Sequence, residues 1–119
     1  MSGAIPEEYY TAFNHYKNMW LFCFFDLPTE TKAQRKAAAS FRKGLLKDGF
    51  SMLQYSVYIR HCATRENADV HLRRVKYMTP SEGMVTALTV TDKQFGLMVT
   101  IYGAKAKPPP PEPIQLELF

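Results

Sequence analysis

Seven consecutive apolar residues, from Met19 to Phe25, constrain the fold of this chain more than any other segment. A membrane span needs roughly 20 apolar residues, so this run is too short to be one. A short run without polar alternation is typical of a strand that is covered on both faces. We therefore predict that it forms the middle strand of a sheet, and that Asp26 closes this strand.

The size and charge of the chain limit what it can be. With 119 residues, 46% of them hydrophobic, it can close one core but is too short for two ordinary domains. It carries 15 Lys and Arg against 11 Asp and Glu, a net charge of +4 that favours polyanionic partners. Cys23 and Cys62 form no C-x-x-C pair, so neither a disulfide framework nor a zinc knuckle is expected. No secretion signal is visible at the N-terminus, which predicts a cytoplasmic protein.

Two helices are predicted from the spacing of apolar residues. The first runs from Glu30 to Asp48, with Thr29 or Thr31 as its cap and Gly49 at the usual stop. We expect its inward side chains to be Ala33, Ala37, Ala38, Phe41 and Leu45. The second runs from about Thr64 to Met78. We expect its inward side chains to be Ala68, Leu72 and Val75.

The remaining strands are less sharply bounded. Phe50 to Cys62 is long and extended, and it is interpreted as one strand or a bent pair. Gly83 to Thr91 and Leu97 to Tyr102 are rich in β-branched residues and are predicted to be two strands, joined by residues 92–96 as a hairpin loop. Residues 19–103 would then form the domain.

Both ends of the chain lie outside this domain. Residues 1–18 are interpreted as an extension with a short helix, because Tyr9, Phe13 and Tyr16 recur at helical spacing. Residues 104–113 are a basic, proline-rich spacer, and residues 114–119 alternate like a strand. One hypothesis is that this last strand pairs with the sheet edge of a neighbouring subunit.

Asp26 is the first candidate for chemistry. A carboxylate at the end of a strand can hold a hard cation such as Mg²⁺ near a phosphate. The alternative is an aspartate that only caps a turn, which is common before proline. One carboxylate is too few for a firm magnesium site, so a metal role requires a second Asp26 from a two-fold mate.

The first predicted helix carries a stripe of cations within an arc of about 140°. Its members are Lys32, Arg35, Lys36, Arg42, Lys43 and Lys47, and no acid interrupts them. A solvated helix face normally mixes charges of both signs, so this basic stripe favours contact with phosphate backbones over a role in solubility alone.

Two further groups of polar residues are weaker candidates. Gln54, Ser56, Tyr58 and Arg60, followed by His61, alternate along the second predicted strand region. They are interpreted either as phosphate or water contacts, or as a polar sheet face that another subunit covers. Tyr77 follows Arg73, Arg74 and Lys76, and it is interpreted as a residue that stacks on a base or binds a nucleic-acid backbone. The alternative is that these cations only suit the negative end of the helix dipole. The histidines show no metal-ligand spacing with the cysteines, and no glycine-rich phosphate loop is present.

Several of these features occur together in one known family. The apolar strand ending in Phe25-Asp26, the helix with Arg35 and Lys36, Gly49, and the segment Leu53-Gln54-Tyr55-Ser56-Val57-Tyr58 follow in its order and spacing. In these respects the chain resembles the CRISPR-associated Cas2 family from about Met19 to Tyr102. The chain departs from the usual family pattern at Phe25, where tyrosine is commoner, and in its N-terminal extension.

The resemblance implies a ferredoxin-like α+β sandwich, an antiparallel sheet with two helices on one face. It also implies a homodimer whose sheets face each other, a bend around Tyr55 and Ser56, and a complex with the Cas1 integrase that captures new spacers from double-stranded DNA. Asp26 matches the metal-binding acid of the family, which is the candidate catalytic residue with Mg²⁺ or Mn²⁺ for cleavage of RNA or double-stranded DNA, and Ser56 and Tyr58 match a second motif. The resemblance leaves two roles open, a metal-dependent nuclease and a DNA-binding scaffold for the integrase that needs no catalysis. An mRNA-cleaving toxin of related fold is the alternative interpretation.

Overall fold

The computed structural model describes residues 17–103. Seven elements follow one another within this range: β1 (Lys17–Asp26), α1 (Lys32–Lys47), β2 (Ser51–Gln54), β3 (Val57–Thr64), α2 (Arg65–Met78), β4 (Met84–Thr91) and the short helix α3 (Asp92–Gly96). β1 begins at Lys17, inside the predicted N-terminal extension. The predicted N-terminal helix, the proline-rich spacer and the strand at 114–119 lie outside the described residues.

The four strands form one antiparallel sheet in the order β2-β3-β1-β4. The apolar run predicted to be the middle strand does lie inside the sheet, where Leu21 is paired with Arg60 of β3 and with Thr89 of β4. The order βαββαβ with this strand arrangement is the ferredoxin-like α+β fold, so the predicted fold class is confirmed.

Alternate residues of β1 enter two separate hydrophobic clusters. Leu21, Cys23 and Phe25 lie on the face that α1 and α2 cover, together with Phe41 and other side chains of the main core. On the opposite face, which we call the open face, a smaller cluster consists of Trp20, Phe22, Ile59 and Phe95. Phe24, also on the open face, is 36% exposed, so the predicted burial on both faces does not extend to this residue.

Both ends of α1 follow from local side-chain chemistry. Thr31 is the N-cap, since its hydroxyl accepts a hydrogen bond from the Gln34 backbone NH and the Gln34 side chain accepts one from the Thr31 NH. Gly49 follows the helix with a φ of 94°, a left-handed conformation that glycine adopts without a steric penalty. Ala33, predicted to point inward, is exposed on the first turn, where no described strand covers it.

The segment from Phe50 to Cys62 is a bent pair of strands. β2 and β3 are joined by a turn at Tyr55 and Ser56, with a bulge between Met52 and Gln54. This confirms the bend that the resemblance implies.

Two predictions for the C-terminal half are wrong. In α2, Leu72 is 36% exposed and the neighbouring His71 is buried instead, because His71 is bonded to Asp48. Residues 92–96 form α3 instead of a hairpin loop, and no strand is present at 97–102. A capping box between Thr91 and Gln94 starts this helix directly after β4, and it places Phe95 on Trp20 with the ring centroids 4.0 Å apart.

Candidate nucleic-acid interface and strand-end carboxylate

Asp26 is exposed at the end of β1, paired with Met84 of β4. Because side chains alternate along a strand, Asp26 projects on the same side as Phe22 and Phe24, which is the open face. Its carbonyl oxygen lies against Gly83, where an added Cβ would approach to 2.8 Å. The carboxylate therefore stands at the rim of an apolar surface, on a strand whose end is tightly packed.

The donor set near Asp26 fits a hard cation only in part. Carboxylate oxygen suits Mg²⁺, which takes near-octahedral oxygen coordination with several waters. Within residues 17–103, however, no three His, Cys, Asp or Glu side chains cluster closely enough to hold a metal ion. A site at Asp26 therefore needs ligands from outside this part of the chain, such as a second copy and phosphate oxygens.

The open face is apolar over most of its central area. Phe22 pairs with Ile59 on one side and with Leu88 on the other. α3 covers Trp20 and reaches Phe22, which is buried with its ring 6.0 Å from that of Phe95. The indole Nε1 of Trp20 also donates a hydrogen bond to Asp92 at 2.8 Å. Leu88 stays 50% exposed and Met84 65% exposed. Exposed apolar side chains that adjoin one another on a sheet face are typical of interaction surfaces.

The basic stripe lies on the side of α1 that faces away from the sheet. The buried residues of this helix are Ala38, Phe41 and Leu45, which contact the core from the opposite side. The four lysines of the stripe are all exposed, and they are Lys32, Lys36, Lys43 and Lys47. Successive members are separated by whole turns or nearly so, and they form one ridge along the helix, which we call the lysine ridge.

The two arginines of the stripe are engaged within the chain. Arg35 donates hydrogen bonds to the carbonyl oxygens of Thr29 and Glu30, both at 3.0 Å, and so closes the turn before α1. Arg42 is half-buried and lies over the ring of Tyr55 at 4.7 Å. The lysine ridge is therefore the part of the stripe that is free to meet phosphates.

The residues predicted as a second motif do not share one surface. Tyr58 is buried in the main core, with its ring 5.5 Å from that of Phe25. Arg60 donates to the carbonyl oxygen of Asp48 at 2.8 Å, while Ser56 lies in the turn and Gln54 is exposed on the edge strand. Tyr58 and Arg60 face α1 and α2. The interpretation that another subunit covers these polar residues is therefore wrong for Tyr58 and Arg60, because the helices of the same chain cover them.

A partly buried ionic cluster was not predicted. Asp48, at the C-cap of α1, accepts hydrogen bonds from His71 and Arg74, each at 2.7 Å. Burial alone would raise the pKa of Asp48, but these hydrogen bonds and charges outweigh it and hold the pKa below its ordinary value. The cluster ties the end of α1 to α2 and β3. Only the spacing of His71 and Arg74, one helical turn apart, could have signalled it.

The cysteines offer no nucleophile. Cys23 and Cys62 are both buried as free thiols. Burial raises the pKa of Cys23 to about 11 and also raises that of Cys62, so both thiols stay protonated at neutral pH.

None of the helices within residues 17–103 is long and apolar enough to cross a membrane.

Comparisons with known proteins agree with this architecture. Residues 19–98 match the family model for the CRISPR associated protein Cas2. A CRISPR-associated endoribonuclease Cas2 from Flavobacterium psychrophilum is 51% identical over 113 residues, which cover 95% of this chain and 98% of the relative. The protein of the same name from Parvibaculum lavamentivorans is 54% identical over 101 residues, covering 85% of this chain and all of the relative. The chain therefore belongs to the Cas2 family of CRISPR systems.

Proposed function

We propose that this protein is a dimeric adaptor of CRISPR spacer acquisition, which holds double-stranded DNA and scaffolds the Cas1 integrase. The lysine ridge of α1 is the observation that carries the proposal. It is uninterrupted by acids and faces away from the sheet, so it presents only positive charge to a large polyanion.

The dimensions of the ridge suit a nucleic-acid backbone. Lys32 and Lys47 are separated by the length of α1, about 22 Å at 1.5 Å per residue. Phosphates of one strand of B-DNA repeat every 3.4 Å or so along the axis, so the ridge spans about six of them. Contacts of lysine with phosphate carry no sequence information, which fits an adaptor that accepts many sequences.

The open face supports the dimer. It joins exposed apolar side chains at Phe24, Met84 and Leu88 to an exposed carboxylate at Asp26. Two copies with their sheets facing each other would remove this apolar surface from water and bring the two Asp26 ends toward the symmetry axis. The lysine ridges, on the helix sides, would then point outward from both copies.

A metal-dependent endonuclease is the second candidate, and the place of Asp26 together with the names of the relatives favours it. In this candidate the two Asp26 carboxylates of a dimer would hold the ion. A bound Mg²⁺ or Mn²⁺ would supply charge neutralisation at a scissile phosphate and a more acidic water. The chain itself would orient the two carboxylates at the rim of the open face. The substrate of such a nuclease would be RNA or duplex DNA.

Replacing Asp26 by Asn separates the two candidates. If the protein is an adaptor, D26N supports spacer capture in cells that carry Cas1 and a repeat array, and it binds duplex DNA like the wild type. If it is a nuclease, purified D26N loses Mg²⁺-dependent cleavage. D69N, a change of an exposed acid on α2, is the matched control for both readouts. Loss of spacer capture by D26N with dimer and DNA binding intact would refute the pure adaptor.

A further inference from the structure

We infer that the groove between the C-terminal turns of α1 and α2 binds single-stranded nucleic acid, with an unpaired base stacked on Tyr77 and the adjoining phosphates held by Lys47, Arg73 and Arg74. This site adjoins the lysine ridge at Lys47, and it does not depend on the proposal that the ridge holds duplex DNA.

Tyr77 is the central observation. Its side chain is 96% exposed, although it belongs to the last turn of a well-formed helix whose other side is packed in the core. The open groove beside it has a volume of about 400 Å³ and is lined by Gly44, Lys47, Asp48, Arg74, Tyr77 and Met78. Gly44 and Met78 make its floor apolar, with the Met78 sulfur 2.8 Å from where a Cβ of Gly44 would lie. An aromatic ring beside such a floor offers a π-face for stacking.

The charges around the ring favour an anionic ligand. Arg73 and Arg74 precede Tyr77 by four and three residues, so both lie next to it on the helix surface. Lys47 reaches the same groove from α1. The one carboxylate of the lining, Asp48, already accepts a hydrogen bond on each oxygen, from His71 and Arg74. Arg74 is nevertheless 58% exposed and keeps donors for a phosphate.

Single-stranded nucleic acid fits this combination better than duplex. Bases in a duplex are stacked on one another, whereas an unpaired base can lie on an aromatic side chain while its phosphates meet cations. The groove opens on the helix side of the sheet, so a second copy on the open face would leave it accessible. It also shares Lys47 with the lysine ridge, which would let one nucleic acid pass from the ridge to Tyr77.

Binding of oligothymidylate to the full-length chain tests this inference, measured by fluorescence anisotropy. We expect Tyr77→Ala to weaken binding at least about fivefold and Tyr77→Phe to stay within about twofold of wild type, because phenylalanine keeps the ring. An abasic oligomer of the same length keeps the phosphates and lacks the bases. The wild-type protein should bind the abasic oligomer as weakly as Tyr77→Ala binds oligothymidylate. The Tyr77→Ala variant should bind the two oligomers with equal affinity, because it no longer has a ring on which a base can stack.

The controls separate this site from the ridge and from other occupants. Blunt duplex should bind Tyr77→Ala like wild type, and neutralising Lys36 should leave the effect of Tyr77 on oligothymidylate in place. Thermal unfolding should be unchanged in Tyr77→Ala, since the ring is in solvent. The inference is overturned if Tyr77→Ala binds oligothymidylate like wild type, or if the abasic oligomer binds as tightly as oligothymidylate. It is also overturned if the substitution abolishes binding of a partner protein while oligomer binding is unchanged.

Discussion

Gly83 packs its α-carbon against the carbonyl oxygen of Asp26, and no larger residue fits between them. A Cβ at Gly83 would lie 2.8 Å from that oxygen, 2.8 Å from Leu27 Cδ2 and 3.0 Å from Pro28 Cδ. Gly83 also has a φ of 97°, which a side chain rarely tolerates. The residue before β4 thus fixes the end of β1, where the candidate carboxylate stands.

Gly83→Ala should therefore destabilise the fold and displace Asp26. We expect a loss of about 1–3 kcal/mol in the free energy of unfolding, from the strained φ and the backbone clash, measured by urea denaturation. Gly96→Ala is the control, because an added Cβ there has no neighbour within 4 Å. Equal stability of the two variants would contradict the close packing at Gly83.

Phe95→Ala tests the part of the fold that sequence patterns missed. Phe95 is 1% exposed and stacks on Trp20, the single tryptophan. We expect a loss of about 3–5 kcal/mol and a red shift of the tryptophan emission as the indole meets water. Leu97→Ala, at a side chain that is 72% exposed, should change neither quantity. If Phe95→Ala left the emission unshifted, α3 could not cover the indole.

Stability at acid pH should depend on Asp48. Its folded-state pKa lies below the ordinary value, so its stabilising effect is complete above roughly pH 4 and is lost as the pH falls through the lower folded-state pKa. We expect Asp48→Asn to cost about 1–3 kcal/mol at pH 7 and progressively less below pH 4 or so. Urea denaturation across this range measures it. If the loss of stability in Asp48→Asn stayed constant down to the lowest pH, the charge of the Asp48 carboxylate would not contribute to the stability of the fold.

Neutralising the ridge should reduce the salt dependence of duplex binding. Lys36→Gln and Lys43→Gln are better tests than a change at Arg35, which also closes the turn before α1. For each phosphate that a lysine no longer neutralises, the slope of log K against log salt should fall in magnitude by about 0.9. Lys93→Gln, at an exposed lysine of α3, removes the same charge elsewhere on the surface. Slopes that match across all three variants would exclude the ridge as the DNA-binding surface.

The dimer prediction has a closely matched control. Leu88 on the open face and Leu46 on α1 are 50% and 53% exposed, so either can accept a glutamate without burying it in the monomer. Leu88→Glu should weaken dimerisation at least about tenfold, because pairing would bury an unpaired charge in each copy. Leu46→Glu should leave it unchanged. Sedimentation analysis measures the dimer dissociation constant of each variant. If Leu88→Glu dimerised as tightly as the wild type, the interface would lie elsewhere.

The sequence predicted the parts of the fold that depend on local periodicity. The middle strand, the phase of α1 and the position of Asp26 all followed from runs and spacings of apolar residues. α3 was missed because Gly96 and the β-branched residues after it resemble a hairpin, while the decisive contact, Phe95 with Trp20, joins distant parts of the chain. The Asp48 cluster was missed for the same reason. The sequence also contained no sign that Arg35 and Arg42 have partners within the chain, because those contacts depend on the folded backbone and on the position of Tyr55.

The strand order also governs how the chain folds during synthesis. β1 is made first, yet both of its partners, β3 and β4, come later, and β4 ends only at Thr91. At ribosomal rates the most apolar segment of the domain waits several seconds for the second of its neighbours. The nascent chain is therefore most vulnerable to aggregation in that interval, and a chaperone that holds β1 would protect it until β4 emerges.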